Sequence, residues 1–149
     1  GLNREIIDVL KLRTLTVTDN DDQVRQVTIG DKRVTRVGGL LRRTSIDELP
    51  QLWNVIKGEM SIVGPRPHAL VHDEQFSSML EDYASRHQVK PGITGLAQVK
   101  GFRGETRTPE CIKDRVEQDI AYVRSWSLWL DIKIIFKTVS VVLTGENAH

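Results

Sequence analysis

Asp47 and Glu48 are adjacent acids in Ser45-Ile-Asp-Glu-Leu-Pro-Gln-Leu-Trp-Asn54, at what the pattern reads as a helix start. Lys32, Arg33, Arg36, Arg42 and Arg43 crowd the stretch before them, and the turn Gly64-Pro-Arg-Pro67 follows. Neighbouring carboxylates at a helix start point in different directions. One can coordinate a divalent cation while the other faces a phosphorus, and a carboxylate is a competent nucleophile in phosphoryl transfer. The helix dipole that steadies an acid there also favours bound phosphate, so plain helix capping is the competing account. Arg66 stands between Pro65 and Pro67, which stiffen its backbone, and its planar fork suits a phosphate. A rigid turn with a solvated arginine is the simpler alternative.

Other candidates are weaker. Lys90-Pro-Gly-Ile-Thr-Gly95 reads as a glycine-rich loop without the spacing of a P-loop. His68 and His72 are four apart, but Ala69 occupies the place of a metalloprotease glutamate, so no zinc site is expected there. The basic stretch is either a solvated face or a contact for acidic lipid head groups.

The elements that position these residues belong to a one-domain chain of 149 residues. Hydrophobic content of 39% and charged content of 28% are those of an ordinary folded domain. A net charge of +1 creates no overall field to recruit nucleic acid. Cys111 is the only cysteine, which rules out an internal disulfide and fits a reducing compartment. Residues 6–18 read as a strand, Thr18-Asp-Asn-Asp-Asp22 as a turn, and Val24, Val27 and Ile29 as its return, giving a hairpin. Gly38-Gly39 reads as a hinge before a short helix carrying Leu40 and Leu41.

After Ser45, the spacing of Leu49, Leu52, Trp53 and Ile56 predicts a helix with one apolar face, ending near Lys57-Gly58. Ser45-x-x-Glu48 fits a capping box, whereas Pro50 in the first turn favours Asp47 as the cap. A further helix is expected from about His68 to Arg86. Another is expected after Thr108-Pro109, with Ile112, Val116, Ile120 and Val123 on its apolar face. Trp126 to Leu143 is apolar but interrupted by Asp131, Lys133 and Lys137, which suits a core helix or one lying at lipid head groups.

Taken in order, these motifs resemble the bacterial sugar transferases, the polyprenyl-phosphate sugar-1-phosphate transferases. Lys11-Leu-Arg-Thr14 is similar to the family's Lys-Phe-Arg-Thr/Ser segment, and Arg42 lies five residues before Asp47-Glu48-Leu-Pro-Gln51 as it does there. Asn54-Val-Ile-Lys-Gly-Glu-Met-Ser-Ile-Val-Gly-Pro-Arg-Pro-His-Ala69 and Arg86-His-Gln-Val-Lys-Pro-Gly-Ile-Thr-Gly-Leu-Ala-Gln98 also match. Arg103-Gly-Glu-Thr106 and the segment from Trp126 look most like the undecaprenyl-phosphate glucose-1-phosphate transferase branch. Lys100-Gly101 stands where members often carry Asn-Gly.

The resemblance implies transfer of a hexose-1-phosphate from a UDP-sugar to undecaprenyl phosphate, with UDP-glucose the donor the branch suggests. Asp47 matches the nucleophile and Glu48 the acid that holds Mg²⁺, while Lys11, Arg42 and Arg66 match positions that neutralise phosphates. The implied setting is the cytoplasmic face of the bacterial inner membrane, against its lipid surface and without nucleic acid. Residues 1–149 are expected to be the catalytic domain of a longer membrane protein, without the family's membrane-embedded N-terminal helix. The expected fold is α+β: one mainly helical domain, a short N-terminal β-hairpin, and an interfacial amphipathic C-terminal helix. Two rival functions stay open, a non-catalytic peripheral membrane or scaffold module of a glycan-assembly complex and a metal-dependent phosphohydrolase.

Overall fold

Two three-residue strands, β1 (Ser61–Val63) and β2 (Gly92–Thr94), pair in parallel and tie the middle of the chain together. The computed structural model describes residues 1–16, 27–28, 30–102 and 108–144. The pairing sets Ser61 opposite Gly92 and Val63 opposite Thr94. Lys90–Gly95, expected as a loop, is therefore partly strand. The reason is close approach: a Cβ on Gly92 would lie 2.1 Å from the Gly64 amide nitrogen. With no side chain in the way, the Gly64 amide reaches the Thr94 carbonyl at 2.8 Å and the Gly92 amide reaches that of Pro65 at 2.9 Å. These bonds anchor the turn that carries Arg66.

The helices are α1 (Arg36–Arg43), α2 (Gln51–Ile56), α3 (Leu70–Met79), α4 (Leu96–Val99), α5 (Pro109–Ser125) and α6 (Leu128–Thr144). Tighter 3-10 segments span Leu2–Arg4, Ile46–Glu48 and Glu81–Gln88. Thr108 caps α5 as expected, its hydroxyl accepting from the Cys111 amide at 3.3 Å, with Pro109 in the first turn. One core cluster joins Ile112, Val116 and Ile120 of α5 to Phe76 and Tyr83. A second joins Val63, Val99, Tyr122 and Ile134, with Val123 and Leu130 packed against it. α5 thus serves both clusters, and α6 closes the second.

Four expectations change. Gly38 and Gly39 lie inside α1 rather than at a hinge, and Gly38 lets that helix press onto Thr14, whose carbonyl would sit 2.1 Å from a Cβ. The helix expected over 68–86 stops at Met79, Leu80 is extended, and Glu81–Gln88 winds as 3-10 helix. Three residues per turn align Tyr83 with Arg86, and both are buried.

The expected N-terminal hairpin is altered in its first strand, while its turn at residues 18–22 and most of its return strand lie outside the described residues. Residues 6–14 form no strand, a lone antiparallel bridge joins Leu15 to Val34, and Val24 and Ile29 lie outside the described residues. The backbone of this segment bonds elsewhere: the Leu12 amide donates to the Asp47 carbonyl at 2.9 Å and the Leu10 amide to Asn54 Oδ1 at 3.1 Å.

Finally, the apolar stripe of α2 faces outward. Trp53 is 54% and Ile56 74% exposed, with Leu49 and Leu52 also exposed, while Gln51 and Asn54 are buried. The C-terminal helix does form, with Ile134 inward and Trp129, Phe136 and Val139 outward. Among the described residues, no helix is long and apolar enough to cross a membrane.

Behind the Arg66 turn, Arg86 Nη2 and Nε donate to Asp119 Oδ2 at 2.8 and 3.2 Å, both side chains being buried. Removing one partner strands a buried charge. Asp119→Ala is expected to lower stability by about 3 kcal/mol, read from the midpoint of chemical denaturation at constant m-value.

Candidate active site

The acid pair sits on the 3-10 turn Ile46–Glu48, entered through Ser45 in the left-handed conformation at φ 58°. That conformation costs a residue with a Cβ about 1–2 kcal/mol. It turns the chain sharply out of α1, so that Asp47 (2% exposed) and Glu48 point inward while Ile46 and Leu49 stay exposed. Neither capping account holds. The Ser45 side chain makes no cap bond, and α2 starts after Pro50 without a side-chain cap.

Two buried neighbouring carboxylates are tolerated only with cations beside them. Lys11 Nζ lies 3.1 Å from Asp47 Oδ2 and donates to Glu48 Oε1 at 3.1 Å. Arg66 grips Glu48 with two nitrogens, Nη1 donating to Oε2 at 3.3 Å and Nη2 to Oε1. Burial alone would lower the Arg66 guanidinium, but Glu48 and then Asp47 outweigh it and hold it above its ordinary value. Lys11, Asp47, Glu48 and Arg66 thus form one cluster of paired charges. Arg42 is not drawn in. Its side chain, in the last turn of α1, makes no hydrogen bond or ion pair among the described residues.

Residues that the sequence patterns did not single out hold this cluster in place. Asn54 is almost fully buried, and its Nδ2 donates to the Asp8 carbonyl at 2.9 Å and to Glu59 Oε2 at 2.6 Å. With the Leu10 and Leu12 bonds, it clamps the thread that presents Lys11. On the other side, Arg86 Nη2 donates to the Arg66 carbonyl at 2.6 Å, so the Arg86–Asp119 pair fixes the turn carrying Arg66.

Arg86 Nη1 also lies 3.0 Å from His68 Nδ1, and Tyr83, which donates to Asp73 at 2.6 Å, lies against the same histidine. Arginine can only donate, so His68 accepts through Nδ1 and is neutral. Burial, then the charges of Arg86, Arg115 and Arg66, hold its imidazole well below the usual value. Arg115, brought down to about 10 by burial and by Arg66, stays charged at neutral pH.

A signal for some of these residues was present. Arg115 and Asp119 are charged residues four apart, interleaved with the apolar face of α5 at Ile112, Val116 and Ile120.

A divalent Mg²⁺ is commonly held by one or two carboxylates together with substrate phosphates. Glu48 is the kind of oxygen donor that role takes, and here its carboxylate accepts from Lys11 and Arg66. Among the described residues, no group of three His, Cys, Asp or Glu side chains could enclose a metal by itself.

A buried acid pair held by one lysine and one arginine brings a carboxylate together with cations of the kind that suit phosphate. The model of the family described as "Bacterial sugar transferase" matches residues 1–145. The chain belongs to that family. Over 149 residues it is 58% identical to the UDP-glucose:undecaprenyl-phosphate glucose-1-phosphate transferase of Klebsiella pneumoniae, covering 100% of this chain and 32% of the relative. It is 52% identical to the Caulobacter vibrioides protein of the same name, covering 56% of that relative. The UDP-N-acetylgalactosamine-undecaprenyl-phosphate N-acetylgalactosaminephosphotransferase of Aeromonas hydrophila is 41% identical over 141 residues, 95% of this chain and 33% of that protein. The chain therefore spans about a third to a half of the length of these relatives.

The neutral buried His68 makes stability depend on pH. The unfolded chain protonates this histidine near its ordinary value while the folded chain does not, so its contribution is intact above that value and lost as pH falls below it. Below about pH 6.5 the loss is about 1.4 kcal/mol per pH unit until the folded state also protonates. Denaturation midpoints taken between neutral and mildly acidic pH should fall more steeply for the native sequence than for His68→Gln. Comparing the two sequences removes the contribution of Asp119, whose carboxyl burial pushes upward.

Proposed function

We propose that this chain is the catalytic domain of a phosphoglycosyl transferase that moves a hexose-1-phosphate from a UDP-sugar to undecaprenyl phosphate. The observation that carries the reading is the buried Asp47–Glu48 pair held beneath Lys11 and Arg66. The family, and the names of relatives that act on UDP-sugars and undecaprenyl phosphate, support it. UDP-glucose is the donor favoured by the relatives at 58% and 52% identity.

In the first step, an Asp47 carboxylate oxygen attacks the β-phosphorus. The bond from that phosphorus to the bridging oxygen breaks, UMP leaves with the electron pair, and an aspartyl-phosphosugar remains. In the second, a phosphate oxygen of the lipid attacks the same phosphorus, and the bond to Asp47 breaks to restore the carboxylate. Lys11, already between the two acids, would transfer its charge to the phosphoryl oxygens as they enter. Arg66 would hold Glu48 and meet the phosphate with its planar fork.

Among the described residues, Lys11 and Arg66 are already engaged by the two acids before any diphosphate enters. For that reason Mg²⁺ on Glu48 belongs to the proposal, supplying charge neutralisation when bound. The outward apolar faces of α2 and α6, with the interfacial tryptophans, support docking on the cytoplasmic face of the inner membrane. Residues 1–149 would then be the catalytic part of a longer membrane protein.

The test is UMP release from UDP-glucose with Mg²⁺ by the full-length protein in detergent, with intact-mass analysis for a hexose-phosphate adduct. Asp47→Asn should remove the adduct and lower UMP release by about a thousandfold or more, with the fold unchanged by circular dichroism. Wild-type turnover in that variant would remove Asp47 from the nucleophile role.

A further inference from the structure

A cavity of about 250 Å³ opens beside the catalytic turn, between α2, β2 and the end of α6. Its walls are mainly apolar, with Leu49, Leu52, Ile93, Val99, Val141 and Val142 among them, and Glu48 forms part of its boundary. The polar groups that reach it are largely engaged with one another. Thr94 and Thr138 hydroxyls bond at 2.7 Å, and Gln98 Nε2 donates to the Ile93 carbonyl at 2.9 Å while its oxygen is sealed from solvent. The cavity offers little to a nucleobase or a sugar, which need fresh hydrogen-bond partners.

The two ends of the cavity differ in chemistry. At one lies Glu48, through whose carboxylate the wall adjoins Lys11 and Arg66, cations that suit a phosphate. At the other, Leu49 and Leu52 are both cavity wall and exposed surface, continuous with Trp53 and Ile56 on α2. Across the opening, Val141 and Val142 follow the exposed Phe136 and Val139 on α6. An occupant that satisfies both ends has an anionic head and a long apolar chain leading out to an apolar surface. We propose that the cavity holds the first isoprene units of the polyprenyl phosphate acceptor, with its phosphate at the Asp47–Lys11–Arg66 cluster. This rests on the transferase reading and adds where the lipid chain lies. A cavity of ~150 Å³ accepts benzene, so this one has room for about ten carbons, two isoprene units. The rest of the chain would run out along the apolar faces of α2 and α6.

The test uses the full-length protein in detergent with a farnesyl phosphate that carries a photoreactive diazirine on its chain. The label should map to residues 49–52 or to the end of α6, and excess undecaprenyl phosphate should compete it away. Two substitutions narrow the cavity from opposite walls, Val142→Trp and Leu52→Trp, the second at a surface position where folding tolerates change. Each should raise KM for undecaprenyl phosphate about tenfold or more. UMP release in the absence of lipid should stay within about twofold.

Label confined to the outer apolar surface or to another segment of the full-length chain would overturn the assignment, as would an unchanged acceptor KM in both variants. A protein that takes label in the cavity but releases no UMP keeps the lipid site and loses the transferase reading. One that releases UMP with an unlabelled cavity does the reverse.

Discussion

Everything near the site follows from placing two adjacent carboxylates out of water. Asp47 and Glu48 are almost wholly buried, and such a pair is stable only where fixed cations meet it. Lys11 and Arg66 supply those cations, and each needs its own support. The N-terminal thread is clamped by Asn54 and by the Asp47 carbonyl, and the Arg66 turn is pinned by β2 and by Arg86. A second layer, Asp119 with His68, Tyr83 and Asp73, then becomes necessary to keep Arg86 itself paired. The polar interior of this small domain is thus a chain of compensations that begins at one dipeptide.

The apolar residues are arranged by the same demand. In an ordinary amphipathic helix the apolar stripe is turned inward. In α2, the buried places go to Gln51 and to Asn54, which clamps the thread carrying Lys11, and the leucines, Trp53 and Ile56 are left outside. With no water-exposed role of their own, they and the outer face of α6 form an apolar margin around the opening of the cavity.

Much of this was legible in the residues. The acid pair and Arg66 come together as their types suggested, Lys11 joins them at the position the resemblance implied, and the cap and apolar face of α5 lie where the pattern put them. What the patterns missed shares a cause. Periodicity reports that α2 has two faces but not which one is inside, because that depends on what the polar face binds across 46 residues of sequence. The glycines of Lys90–Gly95 read as a loop because the partner that their bareness admits, Gly64, is distant in sequence. Residues 6–14 looked like a strand from their β-branched residues, yet the Leu10 and Leu12 amides donate to Asn54 and to the Asp47 carbonyl. Arg42 matched a family position, and its surroundings among the described residues add nothing to that match.

The separations within the cluster also constrain how the chain folds. Lys11 and Glu48 are 37 residues apart, Glu48 and Arg66 18, and Arg86 and Asp119 33, while the two strands meet in parallel across a long excursion. In each of these pairs, acid and cation come from segments far apart in sequence. Such contacts must each close a long loop before they return any stability, which places them among the later events of folding. Until then, Asp47 and Glu48 remain hydrated and mutually repelling, so a partly folded chain does not trap them in a dry interior. Assembly of the acid cluster and completion of the fold are therefore tied together, because the same ion pairs belong to both.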